Sequence, residues 1–189
     1  MAAVSSTTTP HGALLPDLEL EDADGTVHRL HTLLGHGPTL LAFLCNHCPY
    51  VRHIEVPFGT LAAEYAARGV TTIAVVSNDP IGYPQDGPEG MRDQATRAGW
   101  SFPYLRDREH ALALAVGAVC TPDLFVYDPQ RRLFHRGAFD ASTPKSGQPV
   151  TGDDLRAALD AVLAGVDAPD GLTPSLGCGI KWAEGFDPN

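Results

Sequence analysis

A chain of 189 residues that is 43% hydrophobic can bury a proper core, and one compact domain is the expectation. Its 13 Lys and Arg against 23 Asp and Glu leave a formal net charge of −10 at pH 7, with no basic stripe to hold phosphates, which disfavours nucleic acid and anionic membranes as partners. The first residues lack the basic and apolar regions of a secretory leader, no apolar stretch approaches a membrane span, and four cysteines are too few for a disulfide scaffold, so a reducing cytoplasm is the expected setting.

Residues 1–13, rich in Ser, Thr and Ala and without periodicity, read as a disordered tail ahead of a domain over residues 14–165. Residues 18–34 suggest a hairpin: Leu18-Glu19-Leu20 alternates, Asp24-Gly25 signals a turn, and Val27-His28-Arg29-Leu30 alternates again. The apolar run at 39–44 predicts a strand buried on both faces. A helix over 49–68 follows, with Val51, Ile54, Phe58, Leu61, Ala62 and Tyr65 at helical spacing and Gly69 as its stop; Pro57 inside it should bend it. The β-branched run at 70–76 predicts a second strand, 83–87 a loop, and 89–98 a short helix closed by Gly99. Residues 102–105 suggest a brief edge strand and 109–116 another helix, before strands at 124–127 and 133–136 joined at Asp128-Pro129. A last helix opens at Thr151 as N-cap, with Asp153 and Asp154 in its first turn and Leu155, Leu159, Val162 and Leu163 inward. In the extension over 166–189, Gly171, Pro174, Gly177 and Gly179 oppose regular structure; it is either a lid over the active site or packs elsewhere. The alternation of strands and helices implies an α/β fold whose sheet is parallel in its centre.

The densest chemical signal is Cys45-Asn46-His47-Cys48-Pro49, where the first buried strand meets the first helix. Proline suits the first helical position, because its missing N–H had no intrahelical partner to lose, and this places Cys48 at the N-cap. There the unpaired N–H groups and the positive end of the helix dipole favour a thiolate, so Cys48 is expected to be the most acidic of the four thiols and open to solvent. Cys45 reads equally as a packing residue or a resolving thiol. His47 reads as an exposed loop residue ahead of a group that acidifies the thiol. Cys120 and Cys178 are packing residues or alternative resolving thiols. A rival reading takes Cys45, His47, Cys48 and His53 as copper or zinc ligands, but one cluster without a second well-spaced pair is a weak metal signal, and no metal is assigned. No glycine-rich dinucleotide fingerprint follows a strand, so neither flavin nor nicotinamide is implied.

A strand running into a Cys at a helix start, a later Thr-Pro opening a strand, a hairpin and a final helix together resemble the thioredoxin superfamily. Within it, Cys48-Pro49-Tyr50-Val51, Cys120-Thr121-Pro122-Asp123 and Gly177-Cys178-Gly179-Ile180-Lys181-Trp182 look like the peroxiredoxin-like AhpC/TSA branch. The resemblance implies a thioredoxin-like fold, a central mixed sheet flanked by helices with an N-terminal hairpin and a C-terminal tail. It also implies a thiol-disulfide oxidoreductase of cell redox homeostasis, acting on a protein or small-molecule disulfide or on a peroxide and reset by a reductant the sequence does not identify. Cys48 is the implied nucleophile, five residues past Phe43, and Thr121-Pro122 the implied cis pair whose backbone meets the substrate. The usual partner position holds Val51, so the Cys-x-x-Cys is displaced by three residues and Cys45 becomes the first candidate to resolve, with a Cys45–Cys48 disulfide as product. Peroxiredoxins carry Thr or Ser where Cys45 stands and Arg where Pro122 stands, which implies slow peroxide reduction here. A thioredoxin-fold protein that binds partners without turnover is the remaining class.

Overall fold

The computed structural model describes residues 3–6, 11–167 and 173–186. In chain order the elements are β1 (Ala3–Ser5), β2 (Glu19–Asp22), β3 (Val27–Arg29), β4 (Thr39–Phe43), α1 (Pro49–Ala66), β5 (Thr71–Val76), α2 (Pro88–Ala98), β6 (Tyr104–Arg106), α3 (Ala111–Val116), β7 (Cys120–Thr121), β8 (Asp123–Tyr127), β9 (Leu133–Gly137), α4 (Asp153–Ala164) and β10 (Leu176–Gly179). Single 3-10 turns lie at Leu30–Leu33 and Pro84–Asp86. Seven strands form one sheet in the order β3-β2-β6-β5-β4-β8-β9, and β1-β10-β7 form a second, three-stranded sheet.

The period-2 alternation of strand side chains decides how the core divides. From β4 and β8, Leu40, Ala42, Leu124 and Val126 pack on one face against α1 and α4, through Val51, Ile54, Phe58, Leu61, Leu155 and Leu159. Leu41, Phe43, Phe125 and Tyr127 pack on the other face against Leu112, Ala113 and Val116 of α3, with Leu15, Leu20 and Leu30 from the N-terminal hairpin region. Because both faces are covered, every residue of β4 is buried. β4 runs parallel to β5 and β5 to β6, while β8 and β9 close the sheet antiparallel. The end of β4 therefore delivers residues 44–48 to the sheet's rim, where α1 starts.

Four expectations change. The strand expected at an edge, β6, is internal, because the N-terminal hairpin lays β2 antiparallel along its free side. The expected disordered tail contributes β1, although residues 1, 2 and 7–10 lie outside the described residues. Thr151 does not cap α4; the N-cap is Gly152, whose φ of +72° is in the left-handed region, and the Asp140 carboxylate accepts the Thr151 and Gly152 N–H groups at 2.7 and 2.8 Å. The C-terminal extension, expected to be irregular, forms β10.

Candidate active site

Cys48 is the N-cap of α1, with extended backbone angles of φ −69° and ψ 123° and Pro49 behind it at the first helical turn. Its sulfur draws three kinds of hydrogen bond that favour the thiolate. The largest effect is the Cys45 thiol donating to it; burial opposes ionisation, and the Val51 N–H and the side chain and backbone N–H of Cys178 favour it again. The donors win, and the Cys48 pKa falls from 9.0 to about 5. In its thiol form Cys48 donates to the Thr121 carbonyl at 3.1 Å, a bond that favours the neutral state but is outweighed. Cys45 moves the other way: burial, its hydrogen bond to Cys48 and the nearby Asp86 charge push its pKa well above 9.0. One proton is thus held on Cys45 in service of the Cys48 anion.

The solvent access expected for Cys48 is absent. Its side chain is wholly buried, as is that of Cys45. What covers it is β10, which pairs antiparallel with β7 so that Cys178 faces Thr121 and Gly179 faces Cys120. Of the two readings of the extension, the structure shows the one over the site. Gly177 lets the strand approach this closely, since a Cβ there would lie 1.9 Å from the Thr121 carbonyl oxygen. Past β10 the chain is pinned by the Asp79 N–H on the Lys181 carbonyl (2.7 Å), the Lys181 N–H on the Asn78 side chain (2.8 Å) and the Ala183 N–H on His110 Nε2 (3.0 Å). Trp182 and Phe186 pack against the His110 ring. In a Gly177→Ala variant β10 cannot seat, and alkylation of Cys48 by iodoacetamide at neutral pH is expected to accelerate at least about tenfold, the equivalent of ~1.4 kcal/mol of opening free energy. An unchanged rate would show that the strand is not the barrier.

The peptide bond Thr121-Pro122 is cis, as the resemblance implied, and lies against both thiols: Thr121 Oγ1 is 3.3 Å from Cys45 Sγ. Cys178 lies beside Cys48 with its pKa raised to about 11, by burial first and by its hydrogen bond to Cys48 second. The Cys120 thiol donates to the Pro122 carbonyl at 3.8 Å, and burial beside Asp123 pushes its pKa upward. An apolar cleft of about 100 Å³ opens next to Pro122, walled by Tyr50, Ile54, Phe139 and Leu176, with Cys48 absent from its lining.

Sequence reasoning missed the residues that hold the cysteine loop. Asp86, in the turn between β5 and α2, is buried, and its Oδ1 accepts the Asn46 and His47 N–H groups at 2.8 and 3.0 Å. Its Oδ2 accepts His47 Nδ1 at 2.5 Å and Asn78 Nδ2 at 2.8 Å. Burial opposes the Asp86 charge, but the His47 and Asn78 bonds outweigh it and its pKa is lowered. His47 is therefore not an exposed loop residue: its side chain is 11% accessible and stacks on Tyr83 with ring centres 5.1 Å apart. Glu55, also buried, binds Arg97, which reaches the Asn46 side-chain oxygen at 2.9 Å, and Gln94 donates to the Cys45 carbonyl. Glu55 left a signal, a carboxylate four residues past Val51 and three before Phe58 on the apolar stripe of α1. Asp86 left none beyond its place in a turn.

The four residues of the metal reading do not assemble. His53 turns away to Ser142, 2.9 Å off, and among the described residues the group with metal-ligand spacing is Cys45, His47 and Asp86, whose donor atoms lie within 4.8 Å of one another. Both Asp86 oxygens are already occupied by hydrogen-bond donors and the Cys45 thiol holds its proton, which suits an internal network better than an ion.

Two solved structures match nearly the whole chain: a hypothetical protein from Sinorhizobium meliloti 1021, 40% identical over 96% of this chain and 99% of that one with a TM-score of 0.92, and an uncharacterized conserved protein from Geobacillus kaustophilus, 42% identical over 98% and 99% with a TM-score of 0.93. A peroxidoxin of Mycobacterium tuberculosis shares the fold at 23% identity, over 82% of this chain and 97% of that one, with a TM-score of 0.60. No curated protein matches. No helix among the described residues is long and apolar enough to cross a membrane. The stretch matched by the AhpC/TSA family model, residues 11–136, runs from before the N-terminal hairpin through the cysteine loop and the cis Thr121-Pro122 to β9, and on that match the chain belongs to the AhpC/TSA family.

Proposed function

We propose that the protein is a cytoplasmic thiol-disulfide oxidoreductase in which Cys48 is the nucleophile, Cys45 resolves the mixed disulfide, and the Thr121 backbone pairs with an extended substrate once β10 withdraws. The observation that carries this reading is the opposite displacement of two adjoining thiols, one acidified to a pKa of about 5 and the other held protonated beside it. A thiolate attacks a disulfide sulfur, and the departing thiolate leaves Cys48 joined to the other half of the substrate. Cys45 then displaces that half, forming a disulfide across a very short loop, which costs little chain entropy.

Oxidation of the reduced protein with a small disulfide, followed by peptide mapping, is expected to recover Cys45 linked to Cys48. Recovery of Cys48 linked to Cys178 or Cys120 with Cys45 free would move the resolving role and return Cys45 to packing. Membership of the AhpC/TSA family favours peroxide reduction as a second, weaker reading. It is weaker because the nearby hydroxyl, that of Thr121, contacts Cys45, the intended resolving thiol.

A further inference from the structure

We infer that His47, oriented by Asp86, is the acceptor of the Cys45 proton in the resolving step, an assignment that rests on the thiol-disulfide reading above. The need for such a group follows from the site's own electrostatics. While Cys48 is an anion, the Cys45 proton is bound to it. Once Cys48 is joined to a substrate sulfur that charge is gone, and the Cys45 thiol, buried in the folded chain and raised first by that burial, needs a base beside it to give up its proton.

The imidazole is placed for the task. One of its nitrogens lies within 4.8 Å of Cys45 Sγ. The 2.5 Å bond to the Asp86 carboxylate takes a proton on Nδ1, and in the neutral ring the lone pair is then on Nε2. That Nε2 is buried and has no hydrogen-bond partner among the described residues. A buried acceptor left without a donor is costly, and a purely structural clamp on the loop would not need it. Cys45, released from Cys48, has a nitrogen of that ring within 4.8 Å, close enough for its S–H to turn toward the imidazole. Asp86 then neutralises the imidazolium, the part a buried carboxylate plays in any acid–base pair of this kind. Its Oδ1 contacts hold the Asn46 and His47 backbone, so the carboxylate fixes both the ring and the loop that carries both cysteines.

The charged and titratable groups around the ring are Asp86 from the 3-10 turn, Cys45 from its own loop and the Tyr83 ring. The Lys181 ammonium from the C-terminal segment lies 5.8 Å from the Tyr83 ring centre. Arg52 and Arg97 bind the adjacent Asn46. The step balances within the site. Cys45 S–H gives its proton to His47, and the sulfur's electron pair forms the Cys45–Cys48 bond. The Cys48–substrate S–S bond breaks, its pair leaves on the substrate sulfur, and that thiolate takes the proton from the imidazolium. The substrate disulfide is reduced by two electrons as the two cysteines are oxidised.

The test is stopped-flow reaction of the reduced full chain with 5,5′-dithiobis(2-nitrobenzoate), in which the first thiolate released reports attack by Cys48 and the second reports resolution. His47→Asn is expected to slow the second phase by about a hundredfold and the first by no more than about threefold, and to make the second climb tenfold per pH unit through neutrality. Asp86→Asn is expected to slow the second phase as well, by a smaller factor. A second phase in His47→Asn within about threefold of wild type, or equal slowing of both phases, would overturn the assignment. Should His47→Asn lose its near-ultraviolet circular dichroism, the wild type decides: a second phase that itself climbs tenfold per pH unit through neutrality means solvent, not His47, takes the proton. A wild type that releases no thiolate at all, a different result, sinks the thiol-disulfide reading.

Discussion

Replacing Cys48 by Ser is expected to abolish disulfide reduction, a loss of at least about a thousandfold, because a hydroxyl is not ionised at the pH where this thiol is fully anionic. The same thiol sets the pH dependence of the wild type. With a pKa of about 5, alkylation of Cys48 should be level from about pH 6 upward and fall tenfold per unit below 5, whereas an unperturbed thiol would still be gaining rate at pH 8. The linkage to stability has a definite sign. The folded-state pKa lies below the unfolded value of 9.0, so the thiolate's contribution is complete above about pH 9, shrinks as pH falls, and is gone below about 5. Cys45, raised in the fold, stays almost wholly protonated in both states from about pH 5 to 8 and adds little to the slope there. Urea midpoints from pH 5 to 8 should therefore rise more steeply in wild type than in Cys48→Ser. Parallel profiles would contradict the acidified thiol.

Arg136→Met should produce the largest loss of stability, about 3–5 kcal/mol, visible as a lowered urea midpoint with little change in slope. Arg136 Nη2 and Nε bind the two carboxylate oxygens of fully buried Asp123 at 2.5 and 3.1 Å, and the guanidinium also lies 4.7 Å from the centre of the Phe125 ring. Removing it strands a charge beside the cis Thr121-Pro122. Asp123 already has its pKa raised by burial, against the lowering effect of Arg136, so in the variant it takes up a proton and the loss stays within that range. Pairing Arg136→Met with Asp123→Leu should recover most of the loss, since no unpaired charge is then buried. A single variant as stable as wild type would show that the pair contributes nothing.

Regions governed by local pattern were legible. The continuous apolar run in 39–44 and the helical spacing from Val51 to Tyr65 follow from each element's own geometry, and both elements are where they were expected. Cys48 was legible because Pro49 fixes a helix start by covalent chemistry alone. Features created by pairing across the chain were not. Gly177 and Gly179 read as breakers of regular structure, yet Gly177 is there because the Thr121 carbonyl leaves no room for a Cβ, and the strand it permits hides Cys48. Thr151 looked like a cap until Asp140, eleven residues earlier, took its N–H. The solvent access expected of Cys48 failed for the same reason: a helix start is a local property, and what lies over it is not.

In the three-stranded sheet, β10 is the middle strand, clasped between β7 and β1. During translation the ribosome makes Cys48 and its helix long before Cys178, so the nascent chain carries Cys48 without that cover for as long as the last strand is missing. The same strand supplies two of the hydrogen bonds that acidify the thiol. Shelter therefore arrives with the last strand, together with the smaller part of the thiol's acidity, while the larger part, the Cys45 thiol three residues away, is already on the nascent chain.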